Sequence, residues 1–290
     1  MNFIVIFVAL LLDQLLRPFE HLREHHRYEG VCAGWANVAA GWGRIPQVLA
    51  GIIPGFLLGF AAGAIGWGLA LISPFFAFAY GILVLLLCLG PRDLITQVST
   101  YLKARAAGDE ALAAQAVRSL LGGSSQEDPA KLGRQVAEAA LEHAADRLFA
   151  VIFWFALLGP LGAVLFRVAD IMATRARVDC PGGAYARAVQ ALKSVLAWVP
   201  VHLLALTYAL AGNFDETLQA IRNSYHDVKV HFLDPDFGVL AHAGRATLSA
   251  IKEDGNEEVA ILHAAVDIIW RSVVIWLAVI GVVTLLGWLF

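Results

Sequence analysis

From residue 48 to residue 72 the chain runs without one charged side chain, and similar apolar runs recur at 75–89, 148–166, 195–210 and 269–290, with a shorter one at 3–16. A helix needs roughly 20 apolar residues to cross the hydrocarbon of a bilayer, so the first and last long runs are of crossing length and the others fall near the limit. Across all 290 residues hydrophobic side chains make up 59% and charged ones 16%, at a mean hydropathy of +0.68. A soluble domain carries about 25% charge, so this surplus calls for an apolar solvent. The expected fold class is all-α, a polytopic integral membrane protein with about four to six membrane-embedded helices, since helices satisfy their backbone polar groups internally.

The first 16 residues lack the basic start and small-residue cleavage site of a secretory signal and run into Asp13 and Arg17, which reads as a retained membrane-embedded helix. Cys32, Cys88 and Cys180 are odd in number and form no C-x-x-C pair, so they imply neither a disulfide framework nor zinc. The net charge of −3 and the lack of a basic block argue against a nucleic-acid partner.

Apart from Arg271 at the mouth of the last run, all lysines and arginines fall outside the apolar runs, which orients the chain. Arg17, Arg23, Arg27 and Arg44 precede the first long run, and Lys103, Arg105, Arg118, Lys131, Arg134 and Arg147 separate the second from the third, whereas the link Ser73-Pro74 carries none. Both larger loops are therefore expected in the cytoplasm of a bacterial inner membrane, with Ser73-Pro74 as a tight external turn. Strict alternation would then put Arg167, Arg175, Arg177, Arg187 and Lys193 outside. The flanking runs carry Gly159-Pro160 and Pro200, and broken helices survive at membrane depth where they are buried or line a cavity, so one or both are expected to re-enter.

The expected organisation is an N-terminal membrane region at 1–90 with a helical hairpin, a cytoplasmic helical subdomain at 91–147, and proline-broken membrane helices around a basic loop at 148–211. A polar cytoplasmic segment at 212–268 and a C-terminal transmembrane helix at 269–290 complete it. Breaks are expected at Gly108-Asp109 and Gly212-Asn213, a flexible link at GGSSQ, a helix start at Asp128-Pro129, and a turn at Asp234-Pro235.

Before the third run, Glu138, Glu142 and Asp146 recur every four residues and share one helical face. Alone, such a stripe reads as the solvated side of an amphipathic helix. The stretch EAALEHAAD and the following IFWFALLGPLGAVLFRVAD resemble the CobD/CbiB family of membrane-bound adenosylcobinamide-phosphate synthases, whose pattern is E-S-x-A-E-N-x-x-D, a Phe-Trp run, then P-G-A-x-x-Y-[KR]-x-x-N-T-x-D. Glu138, Glu142 and Asp146 fall on its acids, Phe153-Trp154 on its aromatics, Gly162-Ala163 on Gly-Ala and Phe166-Arg167 on the Tyr-basic pair. The resemblance implies that the acids serve an ATP-dependent amide ligation.

The departures from that pattern are specific. His143 and Asp170 stand where the family has Asn, and Ala173 where it has Asp. Its D-D-x-x-N-x-x-P-A-R-L motif becomes Lys193, Ser194, Ala197, Pro200, Val201 and His202. These departures, with SVLAWVPVHLLALTYALAGNFDETL and EHLREHHRYE, resemble AmpE, an inner-membrane regulatory family. That resemblance implies a non-enzymatic sensor modulating β-lactamase induction and the response to cell-wall stress, linked to the AmpD amidase or a muropeptide-type ligand. It is the expectation taken forward, with a divergent enzyme holding a divalent metal and a nucleotide as the alternative, and a small-molecule carrier as the second. Candidate ligand-binding residues are Glu138, Glu142, His143, Asp146, Arg167, Asp170 and His202, with no catalytic residue, resident metal or cofactor assigned.

Three further features have plain readings. His21 and His25 are spaced to touch one transition metal, yet no third ligand follows, so salt bridges or solvent account for them. His202 beside Pro200 is either a ligand or a neutral imidazole bonded to a carbonyl. Asp267 and Arg271 suit an interfacial ion pair, and Trp270, Trp276 and Trp288 suit interfacial belts and packing.

Overall fold

The computed structural model describes residues 2–15, 34–35, 38, 41–89, 93–121, 129–179, 182–227, 238–249 and 257–287. The histidine-rich run at 20–29, Cys32, Cys180, the GGSSQ link, Asp128, the Asp234-Pro235 turn and Trp288 lie outside the described residues. Among the described residues the chain is all-helical, without a strand. In order, the helices are α1 (Asn2–Leu15), α2 (Arg44–Ile72), α3 (Pro74–Cys88), α4 (Asp93–Ala107), α5 (Glu110–Leu121), α6 (Pro129–Ala144), α7 (Ala150–Leu158), α8 (Pro160–Asp179), α9 (Ala184–Ala211), α10 (Phe214–Asp227), α11 (Gly238–Ser249) and α12 (Glu257–Leu285). A π-helical stretch, Ala145–Phe149, joins α6 to α7.

Helix α2, helix α9 and the Ala260–Leu285 part of α12 are long and apolar enough to cross a membrane, while α1 and α3 are shorter apolar helices. Their outward faces leave Leu57, Phe60, Trp67, Leu71, Phe75, Leu206, Leu210, Val274 and Val279 exposed. A belt of that extent is unstable against water and natural against lipid. The expected breaks are present: Gly108 takes φ +72 between α4 and α5, Asp109 Oδ1 accepts from Leu112 N at 3.0 Å, and Gly212-Asn213 ends α9. Ser73 alone separates α2 from α3, its Oγ accepting from Phe75 N at 3.3 Å with Pro74 at the first helical position.

The 148–166 run, expected to be broken at Gly159-Pro160, is a helical hairpin reversed at that point. Gly159 takes φ +62 and Pro160 opens α8, so the chain turns back within one residue. A Cβ on Gly162 would strike the Trp154 carbonyl oxygen, and Leu158 Cβ at 2.9 Å, so only glycine fits that close crossing. The arm from 145 to 158 is about 21 Å long at 1.5 Å per residue, short of the roughly 30 Å of hydrocarbon. That is the geometry expected of a segment that re-enters rather than crosses.

Helix α2 packs chiefly on α8 and α9 through Gly51, Gly55, Gly59 and Gly63. Built Cβ atoms there would lie 2.9 Å from Val189 Cγ2, 3.4 Å from Leu165 Cδ1, 3.1 Å from the Leu161 carbonyl oxygen and 3.0 Å from Leu161 Cβ. Small residues every four positions let apolar helices approach where lipid supplies no hydrophobic drive. The core beneath is built on Leu141, Phe149, Phe155, Phe166, Leu204 and Tyr208, all fully buried.

Among the described residues, Pro54 lies inside α2 and Pro200 inside α9. Each removes the N–H that would have bonded the carbonyl four residues back. Trp35 Nε1 donates to the Ala50 carbonyl at 3.1 Å, and Trp154 Nε1 to the Leu196 carbonyl at 2.8 Å. Both freed acceptors are thus filled by an indole, and the second bond ties the hairpin to α9. Trp154→Phe keeps the ring bulk and deletes that donor, so it is expected to cost about 1–3 kcal/mol as a buried carbonyl loses its partner. Detergent-micelle unfolding midpoints would show it, with Trp67→Phe on the exposed face of α2 as the near-neutral comparison.

Candidate functional site

The π-helical stretch, α8 and α9 converge on one charged cluster in an otherwise apolar interior. Lys193 Nζ on α9 donates to Asp146 Oδ2 at 2.7 Å and lies 2.7 Å from Asp170 Oδ1 on α8. Arg167 Nη1, one turn before Asp170, donates to Asp170 Oδ2 at 3.0 Å. All four side chains are 15% exposed or less. The hairpin explains the meeting: reversal at Gly159 brings Asp146 and Asp170 to the same depth, and Lys193 reaches both from the neighbouring helix.

The π-helical stretch places Asp146. There Ala150 N bonds the Ala145 carbonyl, five residues back, so the helix carries an extra residue per turn. Tyr208 Oη donates to the Leu141 carbonyl at 2.8 Å just before it. Such insertions recur at functional sites because they re-aim a side chain at the cost of helical regularity.

The two acids are paired unequally: Asp170 is met on both oxygens, by Lys193 and Arg167, whereas Asp146 is met by Lys193 on Oδ2 alone. Asp146 Oδ1 and Ser194 Oγ are both buried without a hydrogen-bond partner. An acid held by two cations and one with an oxygen left open suit different roles, Asp170 as a fixed anion and Asp146 as the proton carrier.

Of the residues singled out in the sequence, Arg167 and Asp170 are in contact, and Asp146 joins them through Lys193. His143 and Arg147, both half-buried, stand within electrostatic reach of Asp146 and Asp170 respectively. Glu142 is half-buried on the same face of α6. Glu138 turns to α11 instead, where its Oε2 accepts from Arg245 Nε at 3.0 Å. The acid ladder is therefore neither a solvated stripe nor a common ligand set. His202 lies apart: its spacing puts it on the face of α9 opposite Lys193, where its Nδ1 lies 2.6 Å from the Trp198 carbonyl and its ring 4.5 Å from the Trp198 ring. Arg271, expected to pair with Asp267, donates to the Ala211 carbonyl at the end of α9, at 3.3 Å.

Lys193 is the contributor that sequence reasoning passed over. The apolar run was bounded at Val195, which left the lysine in the basic loop, whereas α9 begins at Ala184 and carries it inside the bundle. An ionisable side chain within such a helix is the signal that marks it.

A divalent ion of the kind the CobD/CbiB resemblance implies needs several oxygen ligands around one point. Between Asp146 and Asp170 that point is held by an ammonium, and no group of three or more His, Cys, Asp or Glu residues able to hold a metal occurs among the described residues. The donor set does not fit a resident divalent ion.

Comparison with known proteins bears on the family. The model described as "CobD/Cbib protein" matches residues 6–238, which take in the acid ladder, the hairpin and Lys193. The chain is 29% identical over 189 residues to the "Cobalamin biosynthesis protein CobD" of Stutzerimonas stutzeri (strain A1501), covering 58% of this chain and 59% of the relative. It is 34% identical over 153 residues to the protein of the same name from Chromobacterium violaceum, covering 51% and 47%. The chain thus spans about half to three fifths of the length of the curated relatives it matches. No solved structure matches it.

These matches correct the expectation of an AmpE-type regulator of β-lactamase induction, which they do not support. The physical reason lies in the departures that carried it. Asp170 in place of Asn and Lys193 in place of Asp were weighed as separate losses, yet they form one ion pair. A charge lost at one position and regained at its neighbour leaves a charged site standing.

Proposed function

The chain belongs to the CobD/CbiB family, and on that premise we propose that it acts in cobalamin biosynthesis as a membrane-bound ligase of the cobinamide-phosphate synthase class, joining an amine to a corrinoid carboxylate at the expense of a nucleotide. The observation that carries this reading is the buried Asp146–Lys193–Asp170–Arg167 cluster, built on the family's acid ladder and its basic hairpin arm. Structural ion pairs buried this deeply are often replaceable by apolar side chains, so an intramembrane cluster that leaves one carboxylate oxygen open reads as chemistry. We place the protein in the inner membrane, with the larger loops cytoplasmic, where soluble nucleotide is available.

Amide formation needs an activated carboxyl and an amine that sheds a proton as it attacks. Asp146 Oδ1, buried without a hydrogen-bond partner, is the acceptor for that proton. As the N–C bond forms, the group activating the carboxyl leaves as an anion, and Arg147 on the same π-helical stretch is the cation that meets it. Asp170 is spent on holding Lys193 and Arg167 in place.

A bacterial strain lacking its own cobinamide-phosphate synthase, grown where survival depends on making cobalamin, tests the reading. Introducing this chain is expected to restore growth, and Asp146→Asn at equal membrane abundance is expected to abolish the rescue. An unaltered chain that reaches the membrane and restores nothing would overturn the proposal.

A further inference from the structure

The bridge at Asp146 and Asp170 has a chemistry of its own, whichever reaction the site serves. Lys193 Nζ lies 2.7 Å from one oxygen of each carboxylate, on a side chain 10% exposed. Linking two carboxylates from different helices is what a divalent ion does at an oxygen-ligand site. Here a covalently attached ammonium does it. Arg167 occupies the second oxygen of Asp170 at 3.0 Å, so two acids face two cations and their formal charges cancel.

We infer that Lys193 is a built-in cation standing where the paired carboxylates would otherwise hold a divalent ion, so that this chain binds neither Mg²⁺ nor Mn²⁺ at Asp146 and Asp170. A metal entering the cluster has to displace a buried ammonium or sit beside two cations where water screens little. Deleting the amine reverses the balance. It leaves two buried carboxylates facing each other across the volume Nζ had filled, and like charges so placed favour uptake of a cation or a proton. Any Mg²⁺ that accompanies a nucleotide is carried by the nucleotide's own phosphates, so the inference stands apart from the ligase reading.

The full chain in detergent, titrated with Mn²⁺, tests it by electron paramagnetic resonance of the free ion and by thermal unfolding. The unaltered protein is expected to show no site tighter than about 1 mM, the weak end of oxygen-ligand affinities, and no change in midpoint. Lys193→Ala is expected to take up one Mn²⁺ and to unfold at a higher temperature in its presence, and Lys193→Ala/Asp146→Asn to lose both effects. Should Lys193→Ala not survive extraction even in Mn²⁺, Lys193→Asn goes through the same titration. One Mn²⁺ bound by the unaltered chain and lost in Asp146→Asn overturns the inference, as does a folded Lys193 variant that takes up none. Neither result depends on turnover, so failure here is distinguishable from failure of the growth test.

Discussion

Lys193→Met is expected to lower the unfolding free energy by about 3–5 kcal/mol, the range for breaking a buried ion pair from one side. Lys193 contacts both acids of the cluster, and after its removal Asp170 keeps Arg167. Asp146 is then a buried carboxyl with neither oxygen bonded, beside a second acid. Two unit charges about 4 Å apart repel by about 4 kcal/mol at an effective dielectric of 20, enough to drive one of them to protonate or the helices to part. The same arithmetic predicts rescue: Lys193→Met/Asp146→Asn removes one charge of each sign, leaves the Arg167–Asp170 pair in place and is expected to recover a substantial part of the loss. Unfolding in detergent micelles, followed by tryptophan fluorescence, measures both. A single variant within about 1 kcal/mol of the unaltered chain would show that the cluster is far more hydrated than its burial indicates.

The second large effect is expected at Gly162. In Gly162→Ala the new methyl meets the Trp154 carbonyl oxygen, and Leu158 Cβ at 2.9 Å, across the hairpin. Backbone oxygen cannot swing aside as a side-chain tip can, so the two arms must separate near Gly159. Overpacking typically costs about 1–3 kcal/mol, and a clash against backbone belongs at or above the top of that range. Separation also moves Asp146 away from Asp170, since the hairpin sets their alignment, so activity is expected to fall further than stability alone explains. Gly68→Ala is the comparison on α2, because nothing lies within 4 Å of a Cβ there. Gly162→Ala with the stability of Gly68→Ala would mean that the hairpin is not held at this crossing.

Much of the architecture was legible because membrane segments are written in runs and punctuation. The apolar stretches around 48–72 and 75–89 and their Ser73-Pro74 link correspond to α2, α3 and a one-residue connection. Gly108-Asp109, Pro129 and Gly212-Asn213 mark helix ends as their backbone chemistry requires. In the 148–166 run, length and hydropathy do not register a reversal, and Gly159 with Pro160 is the signal that marks it.

What was not legible depends on partners distant in sequence. The four-residue spacing of Gly51, Gly55, Gly59 and Gly63 was visible in principle and was not weighed, and its meaning comes from α8 and α9 lying against it. That Trp35 and Trp154 fill the carbonyls freed by Pro54 and Pro200 follows from no local pattern. At the site the ladder geometry was right for a regular helix, and the π-helical stretch then turned Asp146 toward α9 while Glu138 went to Arg245. The substitutions at 170 and 193 could be read as compensating only once their side chains were seen 2.7 Å apart.

The most direct trial of the account is turnover by the purified chain. Incubated in detergent with a corrinoid carboxylate, an amine substrate, and nucleotide supplied with its own Mg²⁺, it is expected to yield the amide, detected by mass spectrometry. Asp146→Asn, folded as judged by its thermal midpoint, is expected to lose about 100-fold or more in rate, in the range attributed to a positioned general base. Glu110→Gln, exposed on α5, is expected to leave the rate unchanged. Amide formed equally fast by Asp146→Asn would contradict the claim that the buried ion cluster is where the chemistry happens.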